Sequence, residues 1–158
     1  MADMDENDVL VASVGMLIRR PPAAVFEAFV DPAITTQFWF TKSSGPLAPG
    51  RRVKWEWEMY NVSTEVEVQA IEPDRRIVIE WDGYANRTTV EWQFNDRGDG
   101  TTFVEIKNSG FGGDLLSRAK QTIDSTSGFA LVVAGAKAWL EHGIELNLIG
   151  DRFPEGKG

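Results

Sequence analysis

The sequence predicts an α+β domain in which a curved antiparallel sheet wraps around one long carboxy-terminal helix. Two observations carry this reading. Between Arg51 and Asn108 apolar residues return at every second position in successive runs, which is the period of strands with one buried face. Between Ser125 and Leu148 they return at the three-and-four spacing of an amphipathic helix. Strands followed by a helix, with no internal repeat, make a single α+β layout.

The chain before Arg51 supplies one strand and two short helices. Val9 to Ile18 is rich in apolar and β-branched residues and stops at Arg19-Arg20-Pro21-Pro22, so it is predicted as a strand ended by proline. Proline is favoured in a first helical turn, and Val25, Phe26, Phe29 and Val30 follow at helical spacing until Asp31-Pro32 breaks the pattern. A second short helix is predicted from Pro32 to about Phe38, with Phe38, Trp39 and Phe40 carried out of its end. Ser43 to Gly50, punctuated by Pro46 and Pro49, reads as loop.

The strands come next. Val53, Trp55, Trp57 and Met59 alternate with Arg52, Lys54, Glu56 and Glu58. The alternation returns with Val62, Thr64, Val66 and Val68, then Ile77, Ile79 and Trp81, then Val90, Trp92 and Phe94, and finally Val104, Ile106 and Asn108. Turn residues at Glu72-Pro73-Asp74, Asp82-Gly83 and Asp96 to Gly100 separate the runs. One face is therefore apolar and the other carries Glu56, Glu58, Glu65, Glu67, Glu80 and Glu91, as in an antiparallel meander with one face in water. That acidic face is expected to serve solubility.

After Ser109-Gly110-Phe111-Gly112-Gly113 two helices are predicted, a short one holding Leu115, Leu116, Ala119 and Ile123 and a long one from about Ser125 to Leu148. Projected at 100° per residue, Phe129, Val132, Val133, Ala136, Trp139, Leu140, Gly143 and Ile144 share one arc, with Lys137, Glu141 and Glu145 opposite. Gly128, Gly135 and Gly143 each cost about 1 kcal/mol inside a helix relative to alanine, so something requires them to be small.

Composition sets limits on function. A chain of 158 residues fits one domain, expected over residues 9–150 between an acidic tail at 1–8 and a second tail at 151–158. Hydrophobic residues at 42% and charged residues at 25% are ordinary for a globular protein. There is no cysteine, which excludes disulfides, thiolate metal sites and cysteine nucleophiles. A net charge of −8 opposes nucleic-acid binding and attachment to anionic membranes. No apolar stretch approaches the roughly 20 residues that span a bilayer, and no secretory leader is visible, so a cytoplasmic location is expected.

The order of elements resembles the helix-grip fold of the START-like superfamily, which includes lipid-transfer domains, birch-pollen-allergen-like proteins, polyketide cyclases and activators of heat-shock-protein-90 ATPase. The resemblance is carried by Arg20-Pro21-Pro22-Ala23-Ala24-Val25-Phe26-Glu27-Ala28-Phe29 with Asp31-Pro32, by Phe38-Trp39-Phe40, by Ser109-Gly110-Phe111, and by Ala138-Trp139-Leu140-Glu141-His142-Gly143. Within the superfamily the chain is most similar to bacterial proteins grouped with the carboxy-terminal domain of the heat-shock-protein-90 activator. The resemblance implies a cavity between sheet and helix.

The candidate site follows from strand parity. Trp55, Trp57, Trp81 and Trp92 all fall on the inward face, where indoles either fill a core or line a cavity suited to a planar ligand. With them, Trp39, Val66, Phe94 and Ile106 and the helix residues Phe129, Val133, Ala136 and Leu140 are the expected cavity lining. Asn108 is either a polar anchor inside the cavity or a partner for a nearby turn, and the same alternatives hold for Tyr60. His142 is the one histidine and projects near the polar side of the long helix, so no metal set is available. No catalytic residue is assigned and no cofactor is expected. Three functions remain open: binding of a small hydrophobic or aromatic molecule, a cyclase or aromatase using Asn108 or Tyr60, and protein interaction through an exposed Phe38-Trp39-Phe40 patch. The third would suit a chaperone partner, and a homodimer is the other candidate protein partner.

Overall fold

The computed structural model describes residues 10–83 and 86–156. The predicted tail at 1–8 and the start of the first strand at Val9 lie outside the described residues.

Strand β1 (Ala12–Ile18) leads into helix α1 (Pro22–Val30) and the single turn α2 (Pro32–Thr35). Pro22 occupies the first turn of α1, and the carboxylate of Asp31 accepts the backbone N–H of Ala33 at 2.9 Å to start α2, as an N-cap does. The predicted second helix is shorter than expected, ending at Thr35, and the segment beyond it delivers Phe38, Trp39 and Phe40 inward. A two-residue strand β2 (Lys42–Ser43), unforeseen in the loop, pairs with β3 (Arg52–Trp57).

The remaining strands are β4 (Val62–Glu72), β5 (Arg76–Asp82), β6 (Arg87–Asp96) and β7 (Thr102–Ser109). All pairings are antiparallel, in the order β1-β7-β6-β5-β4-β3-β2. The alternation held for most of this sheet. It failed at the β3–β4 connection, where Glu58–Tyr60 forms a 3-10 turn closed by Asn61 in the left-handed region. Met59 and Val62, expected to point inward, are exposed there. A bulge between Val68 and Ala70 also shifts the register, so that Ile71 rather than Ala70 pairs with Ile77 and packs on the core.

One continuous 28-residue helix, α3 (Leu115–His142), replaces the two predicted. Asp114 caps its start by accepting the Ser117 N–H at 2.8 Å. It ends at Gly143, whose φ of 64° is left-handed and whose N–H bonds to the Trp139 carbonyl. Gly143 and Ile144 therefore lie beyond the helix, and Ile144 is exposed. A short helix α4 (Leu148–Arg152) folds back against α3, taking residues 151 and 152 out of the expected tail.

Phe129, Val132, Val133 and Ala136 are buried against the sheet, as their arc predicted. The opposite side is not simply solvated. Lys137 donates to the Leu17 carbonyl at 2.7 Å and to Glu141 at 2.6 Å, and Glu141 also accepts the Arg19 N–H at 2.9 Å. These bonds tie the end of α3 to the end of β1 and bury the Glu141 side chain. The outer face of the sheet carries ion pairs such as Arg52 with Glu65 and Glu67, and Arg76 with Glu72 and Glu91. Exposed pairs of this kind contribute little to stability.

Candidate functional site

The site is a cavity of about 240 Å³ between the sheet and the first half of α3. The sheet supplies Trp81, Asp82 and Gly83 from the end of β5, Thr88 from the start of β6 and Asn108 from β7. Register brings these residues together, since Trp81 pairs with Thr88 and Asn108 pairs with Val90. Helix α3 supplies Gln121, Asp124, Ser125, Gly128, Phe129 and Val132. These recur at three- and four-residue spacing and so share one face. Trp39, Phe111 and Ile149 of α4 complete the lining.

Three aromatic rings form the apolar wall. The centroids of Trp39 and Trp81 are 6.0 Å apart, those of Trp39 and Phe129 5.7 Å, and those of Trp81 and Phe129 5.7 Å with the planes stacked. Edge and offset contacts at such separations are favourable. The opposite part of the lining is polar. Asn108 donates to Thr88 Oγ1 at 3.0 Å and to the Thr89 carbonyl at 2.8 Å, while its Oδ1 accepts from Ser125 Oγ at 2.8 Å. Asn108 thus lines the cavity and clamps β6, β7 and α3 together, with partners on a strand and a helix rather than in a turn.

Gln121 is 6% exposed, and its Nε2 donates to the Gly112 carbonyl and Ser117 Oγ. Its Oε1 is buried with no hydrogen-bond partner. The carbonyl at Gly112 demands a donor, which fixes the orientation of the amide.

Of the expected lining, Trp39, Trp81, Asn108 and Phe129 stand around this cavity. The others do not. Trp92 and Phe94 are covered by α1, with Phe29 at 5.9 Å from Trp92 and Phe26 at 5.6 Å from Phe94. Trp55 lies behind Phe40 at 4.5 Å and Trp39 at 4.9 Å, and Val66, Ile106, Val133 and Ala136 are core. Trp57 and Leu140 are half-buried at the margin of that core. Strand parity identifies the inward face but not which part of it the short helices cover. The exposed aromatic patch is corrected: Phe38, Trp39 and Phe40 are all buried. Tyr60 does not line the cavity; its hydroxyl donates toward the carbonyls of Ile149, which does, and of Phe153. His142 is exposed at the far end of α3, 3.7 Å from Glu141.

The residues missed are chiefly Thr88, Phe111, Gln121, Asp124 and Ser125. Their signal was present in Gly128 and in polar residues at 121 and 125, two turns and one turn before Phe129 on its own face.

No helix among the described residues is long and apolar enough to cross a membrane. A comparison with curated protein sequences found no match. Among solved structures, protein SSP2350 from Staphylococcus saprophyticus is 26% identical, with 86% of this chain and 95% of that one covered and a TM-score of 0.73. DynU16, described as a protein of the dynemicin biosynthetic locus, is 21% identical over 85% of this chain but only 48% of its own, with a TM-score of 0.75. The Aha1 dimer from Colwellia psychrerythraea is 16% identical over 84% of this chain and 97% of that one, with a TM-score of 0.71. These likenesses support the helix-grip fold of the START-like superfamily. The family model described as Activator of Hsp90 ATPase homolog 1-like protein matches residues 19–127, more than half of the sequence, and the chain belongs to that family.

Proposed function

We propose that this protein binds a small hydrophobic or aromatic molecule in the cavity beneath α3. The observation that carries this reading is Gly128. A Cβ added there would meet nothing within 4 Å, yet the helix keeps glycine at a cost of about 1 kcal/mol relative to alanine. Packing gives no reason for the omission, whereas an occupant of the cavity does.

Size narrows the occupant. An apolar cavity of about 150 Å³ holds benzene, and pockets for drug-sized ligands begin near 300 Å³. A space of about 240 Å³ therefore suits one ring with a short substituent, or two small fused rings. The likeness in fold to a protein from the dynemicin biosynthetic locus is in keeping with a small organic ligand.

The test uses the indole N–H resonances of the protein during titration with 2-phenylethanol. Those of Trp39 and Trp81 are expected to shift and those of Trp55 and Trp92 to move less. Gly128→Leu, which fills the space, is expected to remove the shifts without unfolding the protein. Equal shifts in wild type and variant would overturn the proposal.

The polar strip of Thr88, Asn108 and Ser125 favours a second reading, an enzyme of cyclase or aromatase type in which the strip orients a reactive chain. Tyr60 has no place in it. Recovery of a bound aromatic polyketide mimic unchanged, by mass spectrometry, supports binding over turnover. As the Colwellia protein is described as a dimer, sedimentation of this chain tests whether it also pairs.

A further inference from the structure

The charge lining the cavity has one sign. Asp82 and Asp124 line it, and no Lys, Arg or His does so among the described residues. The two acids differ in a way that matters. Asp82 is paired with Arg87, Oδ1 to Nη1, at 2.9 Å. Asp124 makes no ion pair or hydrogen bond through its side chain among the described residues. Lys120, one turn earlier on α3, does not line this cavity; it borders an outer groove that Gln121 and the exposed Asp124 also line.

The neutral polar groups lean the same way. Gln121 Oε1 is a buried acceptor with no donor. Ser125 has spent its proton on Asn108, which leaves its oxygen free only to accept. Among the described residues the unspent donors here are the Thr88 hydroxyl, whose oxygen already accepts from Asn108, and the indole N–H groups of Trp39 and Trp81, none of which carries a charge. Facing these acceptors stand Trp39, Trp81 and Phe129, whose ring faces attract cations.

We infer that the cavity prefers a cationic amine, one aromatic ring carrying a short aminoalkyl chain, over neutral and anionic molecules of the same shape. The ring would lie on the Trp39–Trp81–Phe129 wall and the ammonium would sit toward the Asp124 carboxylate. A carboxylate in that position would meet a second carboxylate, and no cation lines the cavity among the described residues. This inference rests on the cavity being a binding site, as proposed above.

Three probes of nearly equal size test it: phenethylamine, 2-phenylethanol and phenylacetate, titrated into the full chain at pH 7 and low salt. The amine is expected to bind about five- to twenty-fold more tightly than the alcohol, the range that a partly solvated cation–π contact and an exposed ion pair together supply. Phenylacetate is expected to bind more weakly than the alcohol. In Asp124→Asn the advantage of the amine over the alcohol should fall to about two-fold or less, and added salt should reduce it in the wild type.

Phenylacetate binding as tightly as the amine overturns the inference while leaving the cavity a binding site. So does an amine advantage that Asp124→Asn leaves untouched. If none of the three binds, the cavity reading fails and this inference fails with it.

Discussion

Phe38 packs directly on the bare backbone of Gly135. A Cβ at Gly135 would lie 3.0 Å from Phe38 Cβ and 3.2 Å from the Phe38 carbonyl oxygen. Helix α3 can therefore approach the segment that delivers Trp39 to the cavity. Phe38 has little freedom to withdraw, because its ring is held edge-on to Phe29 at 5.5 Å. Gly135 and Gly128 lie on one helix in opposite surroundings: a Cβ would be crowded at Gly135 and would meet nothing within 4 Å at Gly128.

Gly135→Ala is expected to destabilise the protein by about 1 kcal/mol. Overpacking a closed contact costs about 1–3 kcal/mol, and the gain in helix propensity of up to about 1 kcal/mol offsets part of it. Urea denaturation measures the difference. A variant as stable as the wild type would show that the Phe38 backbone yields.

Gly128→Ala should move the other way, by about 0.5–1 kcal/mol of added stability, since its Cβ meets no atom within 4 Å. Comparison of the two alanine variants on the same helix separates propensity from packing. Similar effects at both positions would remove the distinction between them.

The fold was legible because two hydrophobic periods dominate the sequence. Val53 and Trp55, Ile77 and Ile79, and Trp92 and Phe94 all mark the buried face, and Phe129 to Ala136 marks the helix that covers it. The site was legible only in part, for the same physical reason. Where α3 crosses the cavity its inner positions are Gln121, Ser125 and Gly128, while Leu115, Leu116 and Ile123 are exposed. A helix whose inward side is polar and whose outward side is apolar does not announce its burial, so one helix read as two. Parity also cannot say that Phe26 and Phe29 of α1 cover Trp92 and Phe94 while Trp81 remains at the cavity.

Asn108→Ala is expected to cost about 2–3 kcal/mol, because it removes one side of three hydrogen bonds in a 3% exposed position and leaves buried groups unsatisfied. Ser125→Ala alone should cost less. A double-mutant cycle between the two is expected to show a coupling of about 1 kcal/mol. Additive losses would mean that α3 is positioned without this bond.

Acid should weaken the tie between α3 and β1. Burial of the Glu141 carboxylate, at 6% side-chain exposure, would raise its pKa. The hydrogen bonds from Lys137 and the Arg19 N–H, with the charges of both residues, outweigh that effect and hold the carboxyl below its ordinary value of 4.5. A carboxyl depressed in the folded state stabilises fully above its unfolded pKa, and that contribution is lost as pH falls through the folded value. Glu141→Gln is therefore expected to be about 1–3 kcal/mol less stable than the wild type at pH 7, with the gap nearly constant down to about pH 5.5. Below the ordinary carboxylate range the gap should close, as the wild-type carboxyl gains the proton that makes it resemble the amide. Urea midpoints of both proteins across this range measure the gap directly. A gap that persists unchanged to strongly acid pH would place its origin in packing around residue 141 rather than in the charge that Lys137 and Arg19 hold there.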